Sequence, residues 1–245
     1  VWTPSGKYIK PQLLDQFAIG YFRSLKDNYY TLEIESFYKT IKNRIDYIDG
    51  ADLIANDAIE QVLLNGKAKA YGLELLLRKN EGILNGWLSY TLSRSEQQTK
   101  GRNDTETGID NGKWYNTPYD KTHDISITSS YKINKKWILN NNFVFQTGQP
   151  GTYPNSQYNY AGLTVADFQP RNSNRMPAYH RLDVSLNYKP NSKNKKWTKE
   201  WIFGIYNVYG RKNATSISFK RNVDTGQNEA LKLSLFGIVP AVTYN

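Results

Sequence analysis

Tyr179-His-Arg-Leu-Asp-Val-Ser-Leu-Asn-Tyr188 is the stretch from which the rest of the chain can be read. Leu182, Val184, Leu186 and Tyr188 share one parity, and Arg181, Asp183, Ser185 and Asn187 share the other. Successive side chains of a β-strand point to opposite faces, so this segment has one apolar and one polar face. The same period recurs outward from it. Leu73, Leu75 and Leu77 oppose Glu74 and Arg78, while Leu84, Leu88, Tyr90 and Leu92 oppose Asn85, Ser89, Thr91 and Ser93. Ile125, Ile127 and Tyr131 oppose Asp124, Ser126, Thr128 and Ser130.

Extended along the chain, this alternation predicts about nine strands. They run near 12–24, 29–46, 60–79, 83–98, 119–132, 136–148, 178–189, 199–220 and 229–245. Most exceed the ~5–6 residues usual in soluble sheets. They suit the ~9–11 residues that cross a bilayer at a tilt.

The connections carry the second argument. Segments 25–28, 80–82 and 133–135 are short, and 190–200 is somewhat longer. Between them lie the long segments 47–59, 99–118 and 149–178, with a moderate one at 222–228. Short turns on one side and long loops on the other are the pattern of a bacterial outer-membrane barrel, whose short turns are periplasmic. Aromatics cluster beside the short turns: Tyr21, Phe22, Tyr29 and Tyr30 at the first, Tyr131 and Trp137 at the third, Tyr188, Trp197 and Trp201 at the fourth. Tyr and Trp favour the headgroup level, where ring and polar tip are both satisfied. The expected fold class is therefore all-β, an antiparallel transmembrane β-barrel. An odd strand count departs from the even numbers of single-chain bacterial barrels, and so predicts the trailing part of a larger one.

Composition agrees. Mean hydropathy is −0.68, yet 14% of the 245 residues are aromatic, including 19 Tyr and 6 Trp. A wall that is apolar outside and polar inside gives this mixture. There is no Cys, which excludes disulfides and thiolate metal sites. No apolar run approaches the ~20 residues of a helical span, and Val1 to Lys10 does not read as a signal peptide. The net charge of +10 raises nucleic acid as a partner. However, many lysines sit in turns (Lys132, Lys135, Lys136, Lys189, Lys193, Lys195, Lys196, Lys199), and no nucleic-acid motif or basic helix appears. Solvated turns beside an anionic membrane account for the charge, and no nucleic-acid partner is expected.

Candidate sites are few. His123 and His180 are the only histidines. His123 and Asp124 face opposite sides of a strand, so they do not form a base with its orienting carboxylate. His180 shares the parity of Leu182 and reads as an interfacial residue. Asp104, Glu106, Asp110 and Asn111 follow Lys100 and Arg102 without the calcium-loop template, and read as a solvated loop. Neither a metal site nor a cofactor is expected, and no nucleophile has a base in reach, so an enzyme is not expected. The long connections offer Trp114, Tyr115 and Tyr119, then Tyr153, Tyr158, Tyr160, Phe168, Arg171 and Arg175. Aromatic planes and guanidinium forks suit capture of sugars, peptides or anionic chelates; the plainer reading is that they pack the loops together. Glu33, Glu35, Lys39, Glu74, Arg78, Asn140, Asn142, Arg181 and Asp183 fall on the polar, lumenal face.

Several strings resemble the TonB-dependent receptors of Bacteroidetes-type bacteria. They are Lys10-Pro-Gln-Leu-Leu-Asp-Gln-Phe-Ala-Ile-Gly-Tyr-Phe, Ala70-Tyr-Gly-Leu-Glu-Leu-Leu-Leu-Arg-Lys and Gly86-Trp-Leu-Ser-Tyr-Thr-Leu-Ser-Arg-Ser. Trp114-Tyr-Asn-Thr-Pro-Tyr-Asp-Lys-Thr-His-Asp-Ile-Ser and Gln146-Thr-Gly-Gln-Pro follow, then Met176-Pro-Ala-Tyr-His-Arg and Ile205-Tyr-Asn-Val-Tyr-Gly-Arg. The resemblance spans essentially the whole chain and rests on the order of the strings. It implies a barrel of about 22 strands closed by an N-terminal plug, to which residues 1–245 would contribute the C-terminal part, without plug or upstream strands. It further implies import of a bulky nutrient (glycan, peptide or metal chelate) with energy relayed by the TonB complex through an N-terminal box. Partners would be outer-membrane lipid and lipopolysaccharide, the protein's own plug, the TonB complex and a surface lipoprotein. Such chains end in an aromatic, commonly Phe, whereas this one stops at Asn245 after Val242-Thr-Tyr, which implies a few further residues. Two other readings stay open: a passive pore or structural barrel subunit of an envelope complex, and a soluble, basic, Tyr-rich binding module.

Overall fold

The computed structural model describes residues 5–54, 56–161, 163–190, 199–222 and 224–245. In chain order the strands are β1 (Leu13–Leu25), β2 (Tyr30–Tyr47), β3 (Leu63–Lys79), β4 (Leu84–Gln98), β5 (Trp114–Asn116), β6 (His123–Lys132), β7 (Trp137–Gln146) and β8 (Pro150–Gly151). They continue as β9 (Pro154–Tyr160), β10 (Leu163–Phe168), β11 (Asn174–Arg175), β12 (Tyr179–Tyr188), β13 (Trp201–Tyr206), β14 (Ser216–Arg221), β15 (Asn228–Leu233) and β16 (Val239–Tyr244). Among the described residues the only helices are two short 3-10 turns at Ile59–Gln61 and Ile109–Gly112.

One antiparallel sheet dominates, in the order β1-β2-β3-β4-β6-β7-β12-β13-β16, with β5 paired to the outer end of β4. β1 and β16 are its two edges, so the ladder does not close on itself. Each long strand lies beside its predecessor in sequence, as hairpin connections dictate. The cross-strand register keeps the alternating parity in phase across the whole sheet. Phe17 lies opposite Tyr38, which lies opposite Tyr71; Leu73 lies opposite Leu92, Ile127 opposite Phe143 and Leu186 opposite Phe203. The result is a continuous apolar face. Phe17 is 70% and Phe203 43% exposed on it, and a row of large apolar side chains open to the surroundings belongs against lipid rather than water.

The opposite face is hydrogen-bonded. Thr128 donates to Asn142 at 3.0 Å, Asn140 to Asn187 at 3.0 Å, Asn187 to Glu200 at 2.9 Å, and Arg181 bridges Asp183 and the Tyr206 hydroxyl. Every residue expected on the lumenal wall, from Glu33 to Asp183, has this parity in the register.

Turns of one kind gather at one end of the sheet. β1 and β2 join through Lys26, Asp27 and Asn28, whose φ values of 49°, 53° and 70° are left-handed; Asp and Asn tolerate that region best among non-glycine residues. Connections 80–83 and 133–136 are equally short. Lys193, Lys195, Lys196 and Trp197, read beside the fourth turn, lie outside the described residues. Segments 48–62, 99–122, 147–178 and 207–238 lie at the other end and carry structure of their own: β5, β8 to β11, and the β14–β15 hairpin.

Two expected strands are interrupted. The span 199–220 divides into β13 and β14, and 229–245 into β15 and β16, so the last outer loop is 207–238 rather than 222–228. Asn207 is the reason. Its φ is 55° and it is 1% exposed. Its N–H donates to Asp183 at 2.9 Å, its side-chain amide donates to the carbonyls of Arg211 and Gly237, and its Oδ1 accepts the Arg211 N–H. Apolar residues continue past it with strand-like spacing, but the backbone turns out of the ladder there.

Candidate functional site

The outer end of β2 holds a one-residue bulge. Lys42 pairs with Lys67 and Arg44 with Gly66, leaving Asn43 unpaired at φ 58°, with its side-chain amide donating to the Pro11 carbonyl at 2.9 Å. An extra residue exchanges the faces of everything beyond it. Arg44 and Asp46, which uninterrupted alternation would place on the apolar face, therefore turn to the polar one.

There Asp46, 8% exposed, becomes the hub of the outer mouth. Its Oδ1 accepts the Tyr47 N–H at 2.8 Å and Arg171 Nη1 at 3.0 Å; its Oδ2 accepts Gln97 Nε2 at 2.7 Å and the Tyr115 hydroxyl at 2.6 Å. Arg171 also pairs with Asp49 at 2.6 Å and donates to the Tyr47 carbonyl at 3.1 Å, its guanidinium 4.6 Å from the Tyr47 ring centroid. Its backbone N–H reaches Asp110 Oδ1 at 3.0 Å. Burial works against the Arg171 charge, but Asp49 and Asp46 more than offset it and leave the guanidinium's pKa raised. Burial, reinforced by the bond to Asp46, likewise pushes the Tyr115 hydroxyl well above the ordinary tyrosine range. Leu64 and Ile109 pack with Tyr115 in a small apolar core beside the hub.

A second clasp lies nearby. Asp120, 1% exposed, pairs with Arg175 and accepts the Ser95 N–H at 2.6 Å. Arg175 also donates to the Gly148 carbonyl at 3.0 Å. A Cβ on Gly148 would lie 1.6 Å from the Met176 carbonyl oxygen, so the Gln146-Thr-Gly-Gln-Pro string needs glycine where the two ends of the 147–178 loop cross.

The nine residues expected to capture substrate thus divide by position. Tyr119, Tyr158, Phe168 and Arg171 line one cavity of about 1080 Å³ at the outer end, together with Arg44, Asp46, Asp49 and Gln169. Tyr119, Tyr158 and Phe168 offer it open ring faces, being 72%, 55% and 59% exposed. Tyr160, at the tip of the β9–β10 hairpin, is exposed but not in this wall. Tyr153 packs on Phe219 of β14 at 5.1 Å. Tyr115 and Arg175 are held in the two clasps, and Trp114, on the opposite parity from Tyr115, stands on the apolar side under Lys67 and Lys69.

Asp46, Gln97 and Asp120 were not singled out from sequence. Asp46 gives no signal there, because its face depends on the Asn43 bulge. Asp120 lies within Trp114-Tyr-Asn-Thr-Pro-Tyr-Asp-Lys, so that string marks its position but not its partner. Asp110 of the acidic loop serves Arg171, and Glu106 is ion-paired to Arg102 at 2.6 Å. The two histidines sit on the apolar side, each bonded to a tyrosine hydroxyl: His123 to Tyr90 at 2.9 Å and His180 to Tyr209 at 2.8 Å. Asp124 instead accepts from Gln146 on the polar side.

The sheet has counterparts in known proteins. The family described as "TonB dependent receptor-like, beta-barrel" matches residues 2–208. The chain is similar in fold to the ferric-catecholate import receptor Fiu of Escherichia coli K12 in its closed form. That likeness has a TM-score of 0.59 at 17% identity, over 100% of this chain and 29% of that one. It is also similar to the ferripyoverdine receptor of the Pseudomonas aeruginosa outer membrane, with a TM-score of 0.54 at 15% identity, over 85% of this chain and 25% of that one. Another structure from the same organism, FpvA bound to a heterologous pyoverdine, gives 0.55 at 17% over 86% and 25%. None of the curated protein sequences is significantly similar to the chain. The chain spans between a quarter and a third of the solved receptors it matches. With the family match covering most of its length, the chain belongs to the TonB-dependent receptor β-barrel family.

Proposed function

We propose that this chain forms the C-terminal wall and outer capture loops of an outer-membrane transporter that imports a bulky nutrient. An N-terminal plug would fill the lumen, with energy relayed through the TonB complex. The observation that carries the reading is the cavity of about 1080 Å³ at the mouth, bounded by Tyr119, Tyr158, Phe168 and Arg171. Its mixture of open rings and fixed charges suits a large polar ligand (a glycan, a peptide or a metal chelate) held by stacking and hydrogen bonds. The solved neighbours are named for ferric-catecholate import and ferripyoverdine, which favours testing a ferric chelate first. The order of the strings between Lys10 and Arg211 supports a Bacteroidetes-type receptor, in which a surface lipoprotein would cap the mouth. Acidic and amide residues on the polar face, such as Glu35, Glu74 and Asn142, suit contact with a plug.

The test is ligand binding by the full polypeptide in detergent, across the three ligand classes, with Tyr158→Ala and Phe168→Ala variants. Loss of either ring should weaken binding roughly tenfold; unchanged affinity for every ligand would remove the cavity from the reading. Uptake by cells should stop when the proton gradient is collapsed. Uptake that persists would favour the passive pore, and a full polypeptide that stays soluble without detergent would favour the soluble module.

A further inference from the structure

The wall of the mouth cavity runs against the charge of the chain. The sequence carries a net +10, yet the cavity of about 1080 Å³ is lined by four carboxylates, Asp46, Asp49, Asp110 and Asp167, and two guanidiniums, Arg44 and Arg171. Asp46 and Arg171 cancel each other in the hub, 3.0 Å apart, with side chains 8% and 10% exposed. What is left to meet a ligand is acidic. Asp49 takes Arg171 on Oδ1, but its side chain is 75% exposed and its Oδ2 has no partner among the described residues. Among those residues the Asp110 side chain has one partner, the Arg171 backbone N–H, and Asp167 accepts from the Ser156 hydroxyl alone, at 3.1 Å. Against these three carboxylates stands Arg44, whose Nε donates to Gln97 at 3.4 Å.

The rings are placed to add to that field. In the β9–β10 hairpin Ser156 lies opposite Asp167 and Tyr158 opposite Val165. Tyr158 and Asp167 therefore share one face as diagonal neighbours, a separation that an aromatic side chain can span. Phe168 follows Asp167 directly, across a register shift, and it and Tyr119 line the same cavity with exposed rings. The face of an aromatic ring is its negative side and attracts a cation placed over it. A carboxylate beside the ring adds charge-assisted hydrogen bonds to the same group. An anion in this place meets carboxylates and ring faces together, and Arg44 is the one cation of the wall without an ion pair among the described residues.

We propose that the mouth selects cationic ligands, and that Tyr158 and Asp167, with Asp49, Tyr119 and Phe168 around them, form a subsite for a guanidinium or ammonium group. A guanidinium suits it best, because its plane stacks on a ring while its edge forks onto a carboxylate. The inference rests on the reading of the mouth as the capture site. It narrows the ligand there to one that carries positive groups, and it turns anionic chelates away. Basic peptides and amino sugars both present that chemistry.

The test titrates the full polypeptide in detergent with short peptides that differ only in carrying arginine, glutamine or glutamate at matched positions, and with a chitosan oligosaccharide beside its N-acetylated form. The arginine peptide or the aminated oligosaccharide should bind roughly tenfold more tightly than its neutral counterpart, the glutamate peptide more weakly still, and the advantage should shrink as salt is raised. Whichever series shows the advantage names the source of the cation. Asp167→Asn should lower affinity for the preferred cationic probe roughly fivefold and leave the neutral one unchanged, while Asp104→Asn, outside the cavity, changes neither. Equal binding of charged and neutral probes in both series, a preference for glutamate, or no binding by any probe overturns the proposal. Tyr158→Ala and Phe168→Ala separate the two readings. If they weaken a ligand that is indifferent to charge, the mouth stands and only its selectivity fails; if they leave the binding of every ligand unchanged, the mouth reading fails as well.

Discussion

Asp46 satisfies four donors at once, and without that carboxylate Arg171 keeps one ion-pair partner, Asp49. Asp46→Asn leaves a buried guanidinium with Asp49 alone, a loss of roughly 3 kcal/mol in the local closing of the mouth. Hydrogen exchange across 149–178 should speed by about a hundredfold, and an unchanged rate would mean that the Arg171 clasp does not hold the loop. Removing both charges (Asp46→Leu with Arg171→Met) should recover part of the protection, because breaking one half of a buried pair costs more than replacing both. Glu106 behaves differently, because it is partly open to water. The hydrogen bond from the Arg102 side chain, then that from its backbone N–H, holds the Glu106 carboxyl down to about 2. Its folded value lies below the unfolded one, so the stabilisation is complete above about pH 4.5 and is lost as pH falls toward 2. Exchange in 99–113 should accelerate in that window, and Arg102→Gln should move the window upward toward the ordinary carboxylate range.

At the scale of elements, the wall was legible from sequence and the mouth was not. Period-2 alternation in 179–188 and 73–77 survives into the register because nothing interrupts those strands, and each bound of β12 falls within one residue of expectation. The faces at the outer end of β2 were not legible, because the bulge at Asn43 preserves the look of alternation while exchanging them. The end of β13 was misread because Asn207 terminates the strand by hydrogen bonds to residues far along the chain. The string Ile205-Tyr-Asn-Val-Tyr-Gly-Arg was visible, but not the turn it encodes. Deleting Asn43 tests the first of these. Arg44 then follows Lys42 directly and keeps its place opposite Gly66, so Asp46 stays on the polar face and limited proteolysis should leave 149–178 closed; an opened loop would show that the bulge's own geometry, and not only the parity it sets, holds the clasp. The wall makes its own prediction. Leu75 and Leu76 are neighbours of identical chemistry on opposite faces of β3. Leu75→Arg should destabilise the folded barrel by about 2–4 kcal/mol in urea titration, as a cation near the bilayer midplane does. Leu76→Arg, on the lumenal side, should cost far less, and equal effects would remove the assignment of faces.

At the scale of the molecule, the ladder's two edges decide what these strands can do in a membrane. The outer edges of β1 and β16 present backbone N–H and C=O groups with no strand beyond them among the described residues. Hydrocarbon supplies no partner for such groups, so a spanning sheet is stable only when closed. Closing it takes further chain, and this chain matches 25–29% of the length of the solved receptors. Among the described residues the inner strands of the ladder have a neighbour on each side, so the cost is concentrated at those two edges. Residues 1–245 offered alone to short-chain phosphocholine vesicles should therefore show no heat-modifiable band and no protease-protected core, while the full polypeptide shows both. A compact, heat-modifiable band from residues 1–245 alone would mean that the wall covers its own edges, by curling shut or by pairing with a second copy. The mouth cavity would then belong to a smaller assembly built from this chain alone.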